Sequence, residues 1–92
     1  MIMIKQNNKK WYVYIVETQS GKFYTGITLD VDRRLEEHKS STKGAKFFRS
    51  SPAKNILYTE ECCSRSEASK REYKIKQLSR KEKMKLIDQQ GK

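Results

Sequence analysis

Several residue types are scarce in this chain, and each scarcity closes a class of function. The two cysteines, Cys62 and Cys63, are neighbours, and together with a single histidine they supply too few ligands for a zinc site. With no other cysteine to pair with, they are expected as small buried or half-buried apolar residues in a reducing cytosol. No apolar run approaches the ~20 residues that a membrane span requires. The opening MIMIKQNNKK carries only four apolar residues ahead of a polar run, too short for the core of a signal peptide. A cytoplasmic protein is therefore expected, with residues 1–10 as a polar leader and residues 11–90 as a single domain with one modest core.

Acidic residues are in short supply as well. Eleven Asp and Glu face 21 Lys and Arg, which leaves a net charge of +10. That balance favours a polyanionic partner, nucleic acid ahead of an anionic membrane surface. The deficit is sharpest from Lys39 to Thr59, where acids are absent while Lys39, Lys43, Lys46, Arg49 and Lys54 supply five cations. Phe47 and Phe48 lie among them. This segment is expected to contact phosphates, with Phe47 either stacking on an unpaired base or packing beneath the loop. No element suited to reading base edges is evident, so recognition of nucleic-acid structure is expected in place of sequence.

The elements follow from pattern. Trp11 to Glu17 is rich in aromatic and β-branched residues and reads as a strand with both faces covered. Phe23 to Ile27 forms a second strand, and Asn55 to Glu61 a third. Asp30 caps a helix over 31–39. Ser64 with Glu67, and Ser79 with Glu82, are capping boxes that open helices over about 65–78 and 80–89. Residues 40–54, which include the only proline, Pro52, read as a loop. The order ββαβαα predicts an α+β domain built on a small three-stranded, mostly antiparallel sheet flanked by helices.

The hairpin loop decides which way its tyrosines face. A three-residue loop, Gln19-Ser20-Gly21, pairs Thr18 with Lys22 and gives a type I turn closed by a left-handed glycine in a G1 bulge. In that register Tyr12, Tyr14, Val16 and Tyr24 share a face and Gly26 lies across from Tyr14. A glycine there leaves room for a ring or for a ligand near the backbone. Arg34 and His38, four residues apart, share one helix face beside Val31 and Leu35. Ala68, Glu72 and Ile75 fall at core spacing, so Glu72 needs a partner, a metal or a function; Arg34 is one candidate partner. Phenols, guanidinium, imidazole and carboxylate together suit phosphodiester hydrolysis. A phenol there would act as a base only if its pKa fell from ~10, which Arg34, His38 or a metal would promote.

At these residues the sequence resembles the GIY-YIG nuclease family. Tyr12-Val13-Tyr14 stands at the first motif and Tyr24-Thr25-Gly26 at the second. Asp30-Val-Asp-Arg-Arg-Leu35 is similar to the helix segment bearing the family's arginine, with His38 following, and Arg71-Glu72-Tyr73 is similar to the segment bearing its metal-binding glutamate. The pattern is most similar to the small stand-alone bacterial, YhbQ-like members. The resemblance implies a metal-dependent endonuclease acting on DNA, with repair or recombination as its setting. It implies that Glu72 holds one Mg²⁺ or Mn²⁺, that Tyr14 is the general base, that Tyr24 and His38 orient it, and that Arg34 stabilises the transition state. Glu67 is a second acid, already accounted for by its capping box. Tyr12 replaces the first-motif glycine, Ile27 stands where some relatives have lysine, and no asparagine follows Asn55. A non-enzymatic nucleic-acid-binding domain on the same fold, or an adaptor presenting its basic face to a protein, are the alternatives.

Overall fold

The computed structural model describes residues 10–40 and 51–90. Six elements run in the order β1 (Trp11–Thr18), β2 (Phe23–Thr28), α1 (Val31–Ser40), β3 (Ala53–Cys62), α2 (Arg65–Gln77) and α3 (Arg80–Gln90). The strands form one antiparallel sheet of order β2-β1-β3, so β1 is central and β2 and β3 are its edges. This is the expected α+β arrangement.

A central strand needs apolar side chains on both faces, and β1 has them: Val13, Tyr14, Ile15 and Val16 are all buried. Val13 and Ile15 face one layer with Tyr58, Cys62, Ala68 and Ile75, against which Leu86 and Ile87 of α3 also pack. Tyr14 and Val16 face the other layer with Ala53, where Leu35 of α1 and Tyr24 pack. The sheet thus separates α1 on one side from α2 and α3 on the other.

The hairpin adopts the three-residue loop. Thr18 N–H donates to Lys22 C=O and Gly21 N–H to Thr18 C=O, each at 2.9 Å. Gly21 has φ +85°, the left-handed conformation that a side chain would oppose. Tyr14 consequently pairs with Gly26 and Val16 with Tyr24.

All three helix starts are capped as the sequence indicates. Arg33 N–H donates to Asp30 Oδ1 at 3.1 Å, Glu67 N–H to Ser64 Oγ at 3.1 Å, and Glu82 N–H to Ser79 Oγ at 3.2 Å. The Glu67 carboxylate accepts from Cys63 N–H, so this acid is spent on the cap. Cys62 is buried as expected, whereas Cys63 is exposed.

The third strand is longer than its sequence indicates, starting at Ala53 and ending at Cys62, and α1 runs to Ser40. Two register shifts make β3 two residues longer than the stretch of β1 it pairs with. Ile15 pairs with Tyr58 but Val16 with Ile56, and Glu17 pairs with Asn55 but Thr18 with Ala53, so Leu57 and Lys54 are extra residues on the β3 side. Residues 1–9 of the expected leader and most of the expected 40–54 loop lie outside the described residues.

Candidate active site

The site forms where α1 crosses the Tyr14 face of the sheet. Its first requirement is space. Tyr14 lies against Gly26 of β2, and a Cβ at Gly26 would stand 2.6 Å from Tyr14 Oη, 2.8 Å from its Cζ and 3.1 Å from Tyr24 Cε2. The space beside the glycine is therefore filled by the tyrosine ring itself. The ring is 1% exposed and His38, reaching it from α1, is 0% exposed.

Tyr14 Oη and His38 Nε2 are 2.9 Å apart. Tyr24 completes the cluster, with ring centroids 6.4 Å from Tyr14 and 5.5 Å from His38. Arg34, one turn before His38, hydrogen-bonds the Tyr14 hydroxyl. A guanidinium can only donate, so the phenol accepts from Arg34, and its own hydrogen goes to Nε2 when the imidazole carries its proton on Nδ1.

The protonation states are set mainly by burial. Desolvation, reinforced by Tyr24 and by the charge of Glu72, pushes the Tyr14 phenol up to about 12, although Arg34 pulls it down. Desolvation and the Arg34 charge push His38 down to about 4. The phenol is thus not acidified in the resting protein, contrary to what the arginine and histidine alone lead one to expect. Burial penalises the phenolate more than Arg34 rewards it, and a neutral His38 contributes no positive charge.

Arg34 is also held by Glu37. Its Nη1 donates to Glu37 Oε1 at 2.7 Å, while Arg33 Nε lies 3.4 Å from Glu37 Oε2. Sequence reading passed over Glu37, although its i+3 and i+4 spacing from the two arginines is the usual signature of such a contact.

Glu72 lies at the margin of the α2 core stripe. Ala68 and Ile75 are buried beside it, and its carboxylate pairs with Lys76 at 3.0 Å, not with Arg34. It is near enough for its charge to act on Tyr14. Among the described residues no group of three or more His, Cys, Asp or Glu side chains is gathered as a metal cage. A lone carboxylate still fits Mg²⁺ or Mn²⁺ chemistry, because such ions are commonly held by one or two carboxylates together with substrate phosphates and water.

The remaining sequence candidates are dispersed. Lys39 and Lys54 are exposed, on α1 and β3. Lys43, Lys46, Phe47 and Arg49 lie outside the described residues. Among the described residues no helix is long and apolar enough to cross a membrane.

Comparison with known proteins identifies the family. Residues 10–86 match the model of the GIY-YIG catalytic domain. A UPF0213 protein of Desulfotalea psychrophila is 53% identical over 77 residues, covering 84% of this chain and 70% of that protein. The solution structure of a UPF0213 protein from Bacillus halodurans is 43% identical with a TM-score of 0.57, covering 89% of this chain and 86% of that one. A protein of E. faecalis, also solved in solution, is 39% identical with a TM-score of 0.60 over 92% of this chain and 90% of its own. The chain belongs to the GIY-YIG family, alongside the small bacterial UPF0213 proteins.

Proposed function

We propose that the protein is a divalent-metal-dependent endonuclease that hydrolyses phosphodiester bonds in DNA and selects its substrate by structure in preference to base sequence. The observation that carries this reading is the Tyr14 hydroxyl. It is hydrogen-bonded to His38 and Arg34, packed near Tyr24, and within reach of the charge of Glu72. The family and the net charge of +10 point to the same class of substrate.

Each residue has a role that its environment suits. Arg34 can exchange its Glu37 carboxylate for a phosphoryl oxygen and steady the charge that develops there. Tyr14 accepts a proton from the attacking water as it passes its own hydrogen to His38 Nε2, and Tyr24 packs the pair in place. This handover keeps the phenol neutral, as its buried position demands. Glu72, on releasing Lys76, would hold the cation, which when bound acts as a Lewis acid on the phosphoryl group.

The test is a cleavage panel of duplex, flap, branched and single-stranded DNA, with RNA counterparts, in Mg²⁺, Mn²⁺ and EDTA. Cutting is expected with metal and lost in Glu72→Gln, with the fold intact by circular dichroism. Metal-independent binding with no cutting of any substrate would leave a non-enzymatic nucleic-acid-binding domain. Cutting by Glu72→Gln at the wild-type rate and metal dependence would remove Glu72 from the mechanism.

A further inference from the structure

The two ends of edge strand β2 each carry a basic cleft built on an aromatic ring. At the start of β2, Lys22, Arg80 and Lys83 line a cleft of about 290 Å³ around Phe23, with no acid in its lining. The Arg80 guanidinium stacks on Phe23 at 4.1 Å from the ring centroid. At the far end, Arg33, Arg34 and Arg65 line a cleft of about 510 Å³ beside Ile27 and Thr28, in which Asp30 and Glu37 offset part of the charge. Here the Arg65 guanidinium lies 5.8 Å from the centroid of the Trp11 ring.

Stacking fixes a guanidinium by its face and leaves its N–H edge to donate outward. Lys22, Arg65, Arg80 and Lys83 take part in none of the ion pairs formed among the described residues. A cation held in this way and not neutralised is a ready ligand for an anion. The clefts also have a spacing. Phe23 and Thr28 are five residues apart in a strand, about 17 Å at ~3.4 Å per residue. Phosphates of one B-form strand rise ~3.4 Å per step but also wind around the axis, so neighbours lie ~7 Å apart in a straight line and this span covers about three nucleotide steps. Glu72 falls between the two ends, about 10 Å along α2 from Arg65 and ahead of Arg80. Arg34 belongs both to the far cleft and to the phenol cluster.

We propose that the β2 edge is a phosphate track: Arg65 with Arg33 at one end, and Lys22, Arg80 and Lys83 at the other, hold the backbone of one DNA strand on both sides of the phosphate presented to the site. The proposal rests on the nucleic-acid reading above and gives that reading its path across the surface. The track runs along the β2 edge itself, where Arg33 of α1 and Arg65 of α2 reach one cleft from opposite sides of the sheet.

The test measures binding of a 14-base-pair hairpin duplex in EDTA over a salt series. Removing one phosphate-binding cation should flatten the slope of log K against log salt by about 0.9. Arg65→Gln should flatten it by about one unit and Lys22→Gln/Arg80→Gln/Lys83→Gln by about 2 to 3. A doubling of salt should then weaken the wild type about 6-fold more than the triple variant. Lys10→Gln, whose ammonium already pairs with Glu61 at 3.2 Å, should change the slope much less. A second arm needs no variant: methylphosphonates placed singly along one strand should weaken wild-type binding in two clusters about three steps apart. Unchanged slopes in folded variants, an equal effect of Lys10→Gln, or one short run of interference would each overturn the track. Binding in EDTA is independent of cutting. Changed slopes without cleavage would therefore keep the track and remove the nuclease, and cleavage with unchanged slopes would do the reverse.

Discussion

A methyl group added at residue 26 would stand 2.6 Å from the Tyr14 hydroxyl and 2.8 Å from Cζ, well inside contact distance. The backbone itself does not require glycine, because Gly21 is the glycine with positive φ among those described. Gly26→Ala therefore tests space alone. Tyr14 cannot swing outward, since it is packed among Val16, Ala53, Tyr24 and Leu35. Relieving the clash forces the ring off its rotamer, at about 1–3 kcal/mol for overpacking. It also breaks the 2.9 Å contact with His38, and a buried polar group left unpaired costs about 1–3 kcal/mol more. The expected loss is about 2–6 kcal/mol, a large fraction of the ~5–15 kcal/mol of a small domain. Urea unfolding followed by circular dichroism should show the midpoint falling by about 1 M or more. The same substitution in a Tyr14→Leu background should cost almost nothing, or stabilise slightly as Gly→Ala in a strand tends to. An equal cost in both backgrounds, or no cost in the wild type, would refute the close packing of Tyr14 on Gly26.

Other expectations follow from the same cluster. His38 is held down to about 4 in the folded protein against 6.5 when free, so its contribution is complete above about pH 6.5 and is lost as pH falls toward 4. Stability should decline by about 3 kcal/mol over that window, and urea midpoints of His38→Gln, which cannot titrate, should be flatter there. Tyr14→Phe should slow cleavage by roughly 10²-fold while leaving DNA affinity in EDTA near the wild-type value, as read by single-turnover kinetics and binding. Normal cleavage by that variant would reduce the phenol to a packing role. On the opposite face, Glu60 accepts from Tyr58 Oη at 2.6 Å and from Arg71 Nε at 2.9 Å. Glu60→Gln should cost about 1–2 kcal/mol, measured by thermal or urea melts, by weakening the tie between β3 and α2.

What the sequence disclosed and what it withheld differ for physical reasons. The hairpin register was legible because Gly21 can take the left-handed turn position, and one such residue fixes every pairing that follows. From that register alone, Tyr14 facing Gly26 and Tyr24 joining Tyr14 were foreseeable. The beginning of β3 was not, because Pro52, Ala53 and Lys54 have little strand preference and the bulges at Lys54 and Leu57 are set by pairing with β1. The partner of Glu72 depended on tertiary placement: Lys76 one turn away captures it, while Arg34 is taken by Glu37 and Tyr14. The direction of the Tyr14 shift was withheld most completely. Sequence spacing shows which charges lie near a phenol and not how deeply the phenol is buried, and here burial decides the sign.

These pieces constrain how protons can move in the site. A phenol raised to about 12 and an imidazole lowered to about 4 are both neutral across the whole range between those values. Neither shift favours a standing charge, so a phenolate waiting for substrate is the wrong picture of the resting site. What the geometry offers instead is a short path: with the imidazole protonated on Nδ1, the Tyr14 hydroxyl can pass its hydrogen across 2.9 Å to Nε2 while its oxygen accepts another. Along such a path a proton can be accepted and passed on without full charge developing on the phenol, which is the route that a buried site penalises least. Among the described residues Arg34 supplies a fixed positive charge at the phenol, and Glu37 keeps it oriented until a phosphate competes for it. Gly26 underlies both functions, because only at a residue without a side chain can the tyrosine ring lie close enough to β2 to meet His38 and Arg34 together.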